Sequence, residues 1–168
     1  MRLNAQSITF CGINAHHQNG IVERQNQSIT ESARTMLLHA ECLWPERVSP
    51  LLWPFALKYA VHIHNQFSLN EKGLSPLKCF TRNSLLDNVV LTDFHTVGSP
   101  CYVLDAVQHV PKWNPWSSLR VFVFCPALHA RNVAMVLNPI TGLVSPQYHV
   151  AFDDHFQTQH GLRNTSIP

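Results

Sequence analysis

Charge is scarce in this chain. Only 13% of its 168 residues are Asp, Glu, Lys or Arg, against 45% hydrophobic. That balance is too apolar for a disordered polypeptide and suffices for a buried core, in one ordinary domain or two small ones. The net charge is +2 with histidine neutral, so charge alone neither points to nor excludes a nucleic-acid partner. The eleven histidines add positive charge only below about pH 6.5. No cysteine pair has C-x-x-C spacing. The five cysteines, Cys11, Cys42, Cys79, Cys101 and Cys125, are odd in number and widely separated. This excludes a disulfide framework and a zinc ribbon and predicts a reducing compartment, nuclear or cytoplasmic, rather than secretion. No apolar run reaches the roughly 18 residues of a membrane helix, so no membrane partner is expected. The first ten residues lack a signal-peptide core. There is no internal repeat, no low-complexity tract and no G-x-S-x-G nucleophile motif.

What is present is periodicity of two kinds. Ser7 to Cys11 alternates as a short strand does, and Gly12 to Gly20 is a loop of small and polar residues. From Ile21 to about Leu43 the period is helical. Val22, Ile29, Ala33, Met36 and Ala40 fall on one side, and Glu23, Gln27, Thr30 and Arg34 on the other. Glu23 sits on the first turn, where the helix dipole tolerates a negative charge; taken alone it reads as a solvated glutamate. Trp44-Pro45 ends this helix. Ser49-Pro50 is a cap followed by proline at the first helical position. The second helix runs to about Asn65, with Leu52, Phe55, Ala56, Tyr59, Ala60 and Ile63 inward. Ser75-Pro76 repeats the signal and starts a short helix through Thr81.

After a linker at 83–95 the period becomes that of strands. Residues 101–104, 119–124 and 132–137 read as strands, Asn138 to Gly142 as a hairpin turn, and Tyr148 to Phe152 as the returning strand. Short strands with turn signals predict a small β-barrel over 96–156. Residues 157–168 have little to bury and read as a disordered tail. The class expected is α+β.

At this point the residues carry a family. Gly12-Ile13 followed by His16-His17-Gln18-Asn19-Gly20-Ile21-Val22-Glu23-Arg24 resembles the P-x-x-N-G-x-x-E-R block of copia-type retrotransposon integrases, which bears their last catalytic carboxylate. Leu52-Trp53-Pro54-Phe55-Ala56-Leu57-Lys58-Tyr59-Ala60 with His64-Asn65 is similar to the family's next helix, and Ser75-Pro76 with Phe80 to its S-P-x-x-x-F element. Phe94 to Val103 is similar to F-x-x-F-G-C-x-x-Y-V. Pro111-Lys112-Trp113, Val133 to Pro139 with Thr141-Gly142, Ser145 to Val150, and Phe152-Asp153-Asp154 continue the match in order. It covers about Gly12 to Thr158. His16-His17 stands where many members have P-Q, and Arg120 and Phe124 where the family has glycines, so close barrel contacts at those two positions are expected to differ.

The resemblance implies a partial ribonuclease-H-like integrase core at 1–82, mostly helices, followed by a small Src-homology-3-like β-barrel at 96–156. It implies a Glu23 that is catalytic and a ligand of Mg²⁺ or Mn²⁺, and DNA contacts from His16, Gln18, Asn19, Arg24, Asn26 and Gln27. Such enzymes hold two divalent ions with an Asp, a second Asp and a Glu, one ion activating the nucleophile and the other steadying the leaving oxygen. Residues 1–22 contain no aspartate; the first in the chain is Asp87. The expectation is that this chain alone does not hold the metal pair and does not join DNA, and that helices evolved to cover a larger sheet leave it prone to self-association. The other reading is a non-catalytic nucleic-acid- or protein-binding module. Arg24, Lys112 and Arg120 either meet phosphates or are solvated. Trp113 and Trp116 either stack on bases or pack in the core or at the barrel edge. His16, Gln18 and Asn19 either contact DNA or serve their own loop's backbone. Cys11, His16, His17 and Cys42 do not have zinc-site spacing.

Overall fold

The structure is a computed structural model that describes residues 12, 19–81, 91–104, 112–126, 130 and 132–158. Among these residues it is an α+β fold, three helices and one five-stranded antiparallel sheet. The expected strand at Ser7 to Cys11, most of the Gly12–Gly20 loop, much of the linker and residues 159–168 of the tail lie outside the described residues.

Helix α1 spans Gly20–Leu43 and α2 spans Trp53–Phe67. Between them the chain turns at Pro45, and the Ser49 hydroxyl accepts from Leu51 N–H at 3.3 Å to start the 3-10 turn Pro50–Leu52 that leads into α2. Of the residues expected inward, Ala33 and Ala40 of α1 and Ala56, Tyr59 and Ala60 of α2 are buried and Ile29 and Met36 half-buried; Leu37, outside the expected set, is buried as well. Val22 departs from this pattern and is exposed, as is Ile21. At 1.5 Å per residue α1 is about 36 Å long and α2 about 22 Å, and the amino-terminal turns of α1 lie beside the carboxy-terminal part of α2. There Gln25 Nε2 approaches the His64 ring of α2, 3.1 Å from Nε2. Helix α3, Pro76–Thr81, starts where expected, with Lys78 N–H donating to the Ser75 hydroxyl at 3.3 Å.

The strands are β1 Pro100–Leu104, β2 Ser117–Phe124, β3 Ala134–Leu137, β4 Val144–Gln147 and β5 Val150–Phe152, ordered β4-β3-β2-β1-β5. Asn138 and Gly142 make the β3–β4 hairpin as expected. The Asn138 side chain accepts from Ile140 N–H at 3.0 Å, and Gly142 takes φ +71°. The return strand is instead two pieces. Val144–Gln147 pairs with β3, Tyr148 and His149 break it, and Val150–Phe152 pairs with β1. Pro146 hides the first piece from a strand reading; on an edge strand its missing N–H is harmless.

This break fixes the sheet's shape. Strands β4 and β5 lie on opposite edges, yet only three Cα–Cα steps separate Gln147 from Val150, at most about 11 Å. A flat sheet would hold those edges roughly 19 Å apart. The sheet must therefore curl until its edges nearly meet. Among the described residues it does not close: no described strand pairs with the outer edge of β4 or of β5, so the expected barrel is an open, coiled sheet. The Leu91–Asp93 turn and His95 line a cavity with Asn132, Tyr148 and Phe152 beside this seam.

Helices and sheet share one hydrophobic core running from Ala33 to Phe156. Strand β2 is its centre, with Val121 to Phe124 all buried. Phe122 meets the Tyr59 ring edge-on at 5.7 Å, and Phe124 stacks on Phe55 at 6.0 Å with Lys58 Nζ 4.5 Å above it. Burying a ring such as Phe122 contributes roughly 2–3 kcal/mol. Phe124 is thus the seat of α2. The register slips between Phe122 and Phe124, a bulge that adds to the coil. At the far end Phe156, at φ 55°, turns its ring fully inside against His39.

Gly98 is where α1 touches the sheet. Its N–H donates to Phe122 O at 2.8 Å, φ is +78°, and an added Cβ falls 2.5 Å from the Ala40 Cβ. Replacing Gly98 with Ala forces either α1 or the turn to move, and is expected to cost at least about 2 kcal/mol in urea unfolding. A loss below about 0.5 kcal/mol, within the range of neutral surface changes, contradicts this close approach.

Candidate functional site

Two places bring polar chemistry together. The first is the amino-terminal end of α1. Glu23, Arg24, Asn26 and Gln27 are all exposed there, as is Asn19 at the cap position, whose side chain makes no capping bond. Spacings of three, four and seven put Glu23, Asn26, Gln27 and Thr30 on one stripe. Thr30 Oγ1 donates to Asn26 O at 2.8 Å. His16 and Gln18 lie outside the described residues. The structure thus leaves Asn19, Glu23, Arg24, Asn26 and Gln27 exposed to solvent.

A two-metal site needs several carboxylates converging on hard cations. Glu23 is the one carboxylate in the first turn of α1. Asp153 and Asp154 belong to the far end of the sheet: Asp153 accepts from Gln157 N–H and Thr158 N–H, and Asp154 from Thr96 N–H. Among the described residues no group of three or more His, Cys, Asp or Glu is placed to hold a metal ion. The described donors do not fit a divalent pair at Glu23.

The second place is the seam of the sheet. His95 Nδ1 lies 2.9 Å from Asp154 Oδ2, and the His95 ring stacks on Phe152 with centroids 3.4 Å apart. Asp154 Oδ1 accepts from Thr96 N–H at 2.7 Å. His95 and Cys125 line a cavity of about 220 Å³ with Asp93, Asn132 and Tyr148. A carboxylate holding an imidazole beside a thiol has the outline of a nucleophilic site. The thiol argues against it: burial, and then the Asp93 charge, push the Cys125 pKa up. Among the described residues nothing lowers it as a nucleophile requires. The cavity is also smaller than the usual 300–1,000 Å³ of ligand pockets. The arrangement is a clasp joining segment 94–96 to β5.

Between β1 and β2, Lys112, Trp113 and Trp116 are all exposed, Trp113 at 90%. Lys112 Nζ sits 5.5 Å from the Trp113 ring. Packing in the core or at the barrel edge, one of the two expectations for these rings, is not what Trp113 does. Arg120 is half-buried and acts on Cys101: burial pushes that thiol up to about 12, and the Arg120 charge partly offsets this. The inward face of α2 predicts Tyr59 in the core, but its bond to His95, the His95–Asp154 contact and the Gln25–His64 contact carry no sequence signal. No local spacing relates residues 59, 95 and 154.

No family model, no curated protein and no solved structure matches this chain.

The thiols provide a direct check of the seam. Cys42 and Cys79 are exposed, Cys101 is buried and Cys125 half-buried. At pH 8 a thiol-specific alkylating reagent, followed by peptide mass spectrometry, is expected to label Cys42 and Cys79 at least about tenfold faster than Cys101 and Cys125. Cys125 labelling as fast as Cys42 overturns the reading of the seam as inert.

Proposed function

We propose that this chain is the carboxy-terminal part of a copia-type retrotransposon integrase, an enzyme family that joins DNA ends, and that by itself it is inactive. The observation that carries the reading is the ordered run of sequence blocks from Gly12 to Asp154, with N-G-x-x-E-R opening a long helix. The exposed Glu23 on its first turn supports it, since a metal ligand must face the substrate. Further support comes from the sheet: a meander whose fifth strand returns to the first, coiled until its edges nearly meet, suits a small Src-homology-3-like barrel left open along one seam. In the intact family Mg²⁺ or Mn²⁺ held by the Glu and two Asp supplies the phosphoryl chemistry; here no step is assigned to it. DNA is the partner, met by Asn19, Arg24, Asn26 and Gln27, with His16 and Gln18 just ahead of them.

A second reading is favoured by one observation, the exposed Trp113 with Lys112 over it. A solvated indole beside a cation is a platform for base stacking and phosphate contact. It makes the chain a non-catalytic nucleic-acid-binding module.

Two measurements separate these. In a strand-transfer assay with Mg²⁺ or Mn²⁺ the chain is expected to join no DNA, with Glu23→Gln without effect. Joining that Glu23→Gln abolishes sinks the inactivity claim. The genomic sequence ahead of the Met1 codon is expected to encode the two Asp motifs, intact or interrupted; their absence there sinks the integrase origin. For the module, single-stranded DNA should quench Trp fluorescence with an affinity that falls as salt rises, and Trp113→Ala should weaken it by about 1–3 kcal/mol. Salt-independent or Trp113-independent binding contradicts it.

A further inference from the structure

The outer side of the helix pair, turned away from the sheet, holds an apolar groove of about 470 Å³. Ala33 and Leu37 of α1 are buried at its floor, while Leu38 and Trp53 line it and remain 53% and 58% exposed. A Leu and a Trp so exposed along one groove are unusual on a monomer, and a Trp in such a setting is a typical anchor of an interface. Arg34 and Glu41 also line the groove. They are seven residues apart, two turns along one face of α1, about 10 Å, and they bracket Leu37 and Leu38.

We infer that this groove is a self-association surface, in which α1 packs antiparallel on α1 of a second copy about a two-fold axis passing between Leu37 and Leu38. The charges argue for that occupant. An antiparallel copy centred there sets Arg34 against Glu41 of the second copy, and Glu41 against its Arg34, as an isologous interface requires. A parallel copy sets like charge on like. The same axis brings Leu38 over Leu37 of the second copy and fills the groove from both sides. Ala33 is small enough to let the helices approach. The pair that Arg34 makes in the monomer, 3.9 Å from Glu31, is exposed on both sides and is readily exchanged for a desolvated partner. This surface lies outside the DNA-facing residues proposed above, and its test is independent of them.

Sedimentation velocity of the full chain over a wide range of concentrations tests it. The chain is expected to dimerise reversibly. Arg34→Glu and Glu41→Arg each place two like-charged pairs across the axis and should raise the dissociation constant roughly tenfold or more. An equimolar mixture of the two variants restores both pairs, so a heterodimer near wild-type strength is expected, as is the dimer of the double swap. Leu38→Asp should abolish association with far-UV circular dichroism unchanged. A chain that stays monomeric throughout overturns the inference. So does a dimer indifferent to Arg34→Glu, Glu41→Arg or Leu38→Asp, or a mixture of the two charge variants that fails to pair.

Discussion

The hydroxyl of Tyr59 joins the two halves of this fold. It donates to His95 O at 2.9 Å and accepts from His95 N–H at 3.1 Å, so one side chain of α2 takes both backbone groups of a residue in the approach to β1. The side chain is 1% exposed, and burial drives its pKa well above the ordinary tyrosine value, with the nearby Cys125 adding to this and the His95 backbone bond opposing it. From His95 the chain of contacts continues: its ring lies on Phe152 of β5, its Nδ1 on Asp154, and Asp154 on Thr96 N–H. A typical hydrogen bond contributes about 1 kcal/mol net, while a buried group left without its partner costs about 1–3 kcal/mol. The weight of Tyr59 is therefore less in what its bonds add than in what their loss would strand.

Much of the fold was legible because it rests on local signals. The helices, their serine and proline starts, and the Asn138–Gly142 turn follow from periodicity and turn chemistry, which act over a few residues. The failures have a common cause, tertiary geometry. Val22 has the right phase for burial, yet on the first turn of α1 it stays exposed. Pro146 disqualifies Val144 to Gln147 as a strand until its edge position is known. The open seam could not be foreseen from strand count, since it follows from a two-residue break spanning opposite edges of the sheet. The seating of α2 on β2, where Phe124 meets Phe55, joins residues far apart in the chain and has no local signal.

The candidate site was half legible for the same reason. The exposed stripe of Glu23, Asn26 and Gln27 is a property of one helix and could be read from spacing. Whether a carboxylate becomes a metal ligand depends on residues far away in sequence, and neither Asp153 nor Asp154 is available, both being engaged in the turn and clasp at the end of the sheet. The exposure of Trp113 could not be read at all, because a tryptophan in a loop has no period to say which way it faces.

The central claim is that helices and sheet form one cooperative unit through the core around Tyr59 and β2. Native-state hydrogen exchange tests it most directly. Amides of Tyr59 and Ala60 in α2 and of Phe122 and Val123 in β2 should exchange through the same global opening, with equal free energies and equal dependence on denaturant. Helix amides that stay protected after those of β2 have exchanged, or two separate unfolding transitions, would contradict it.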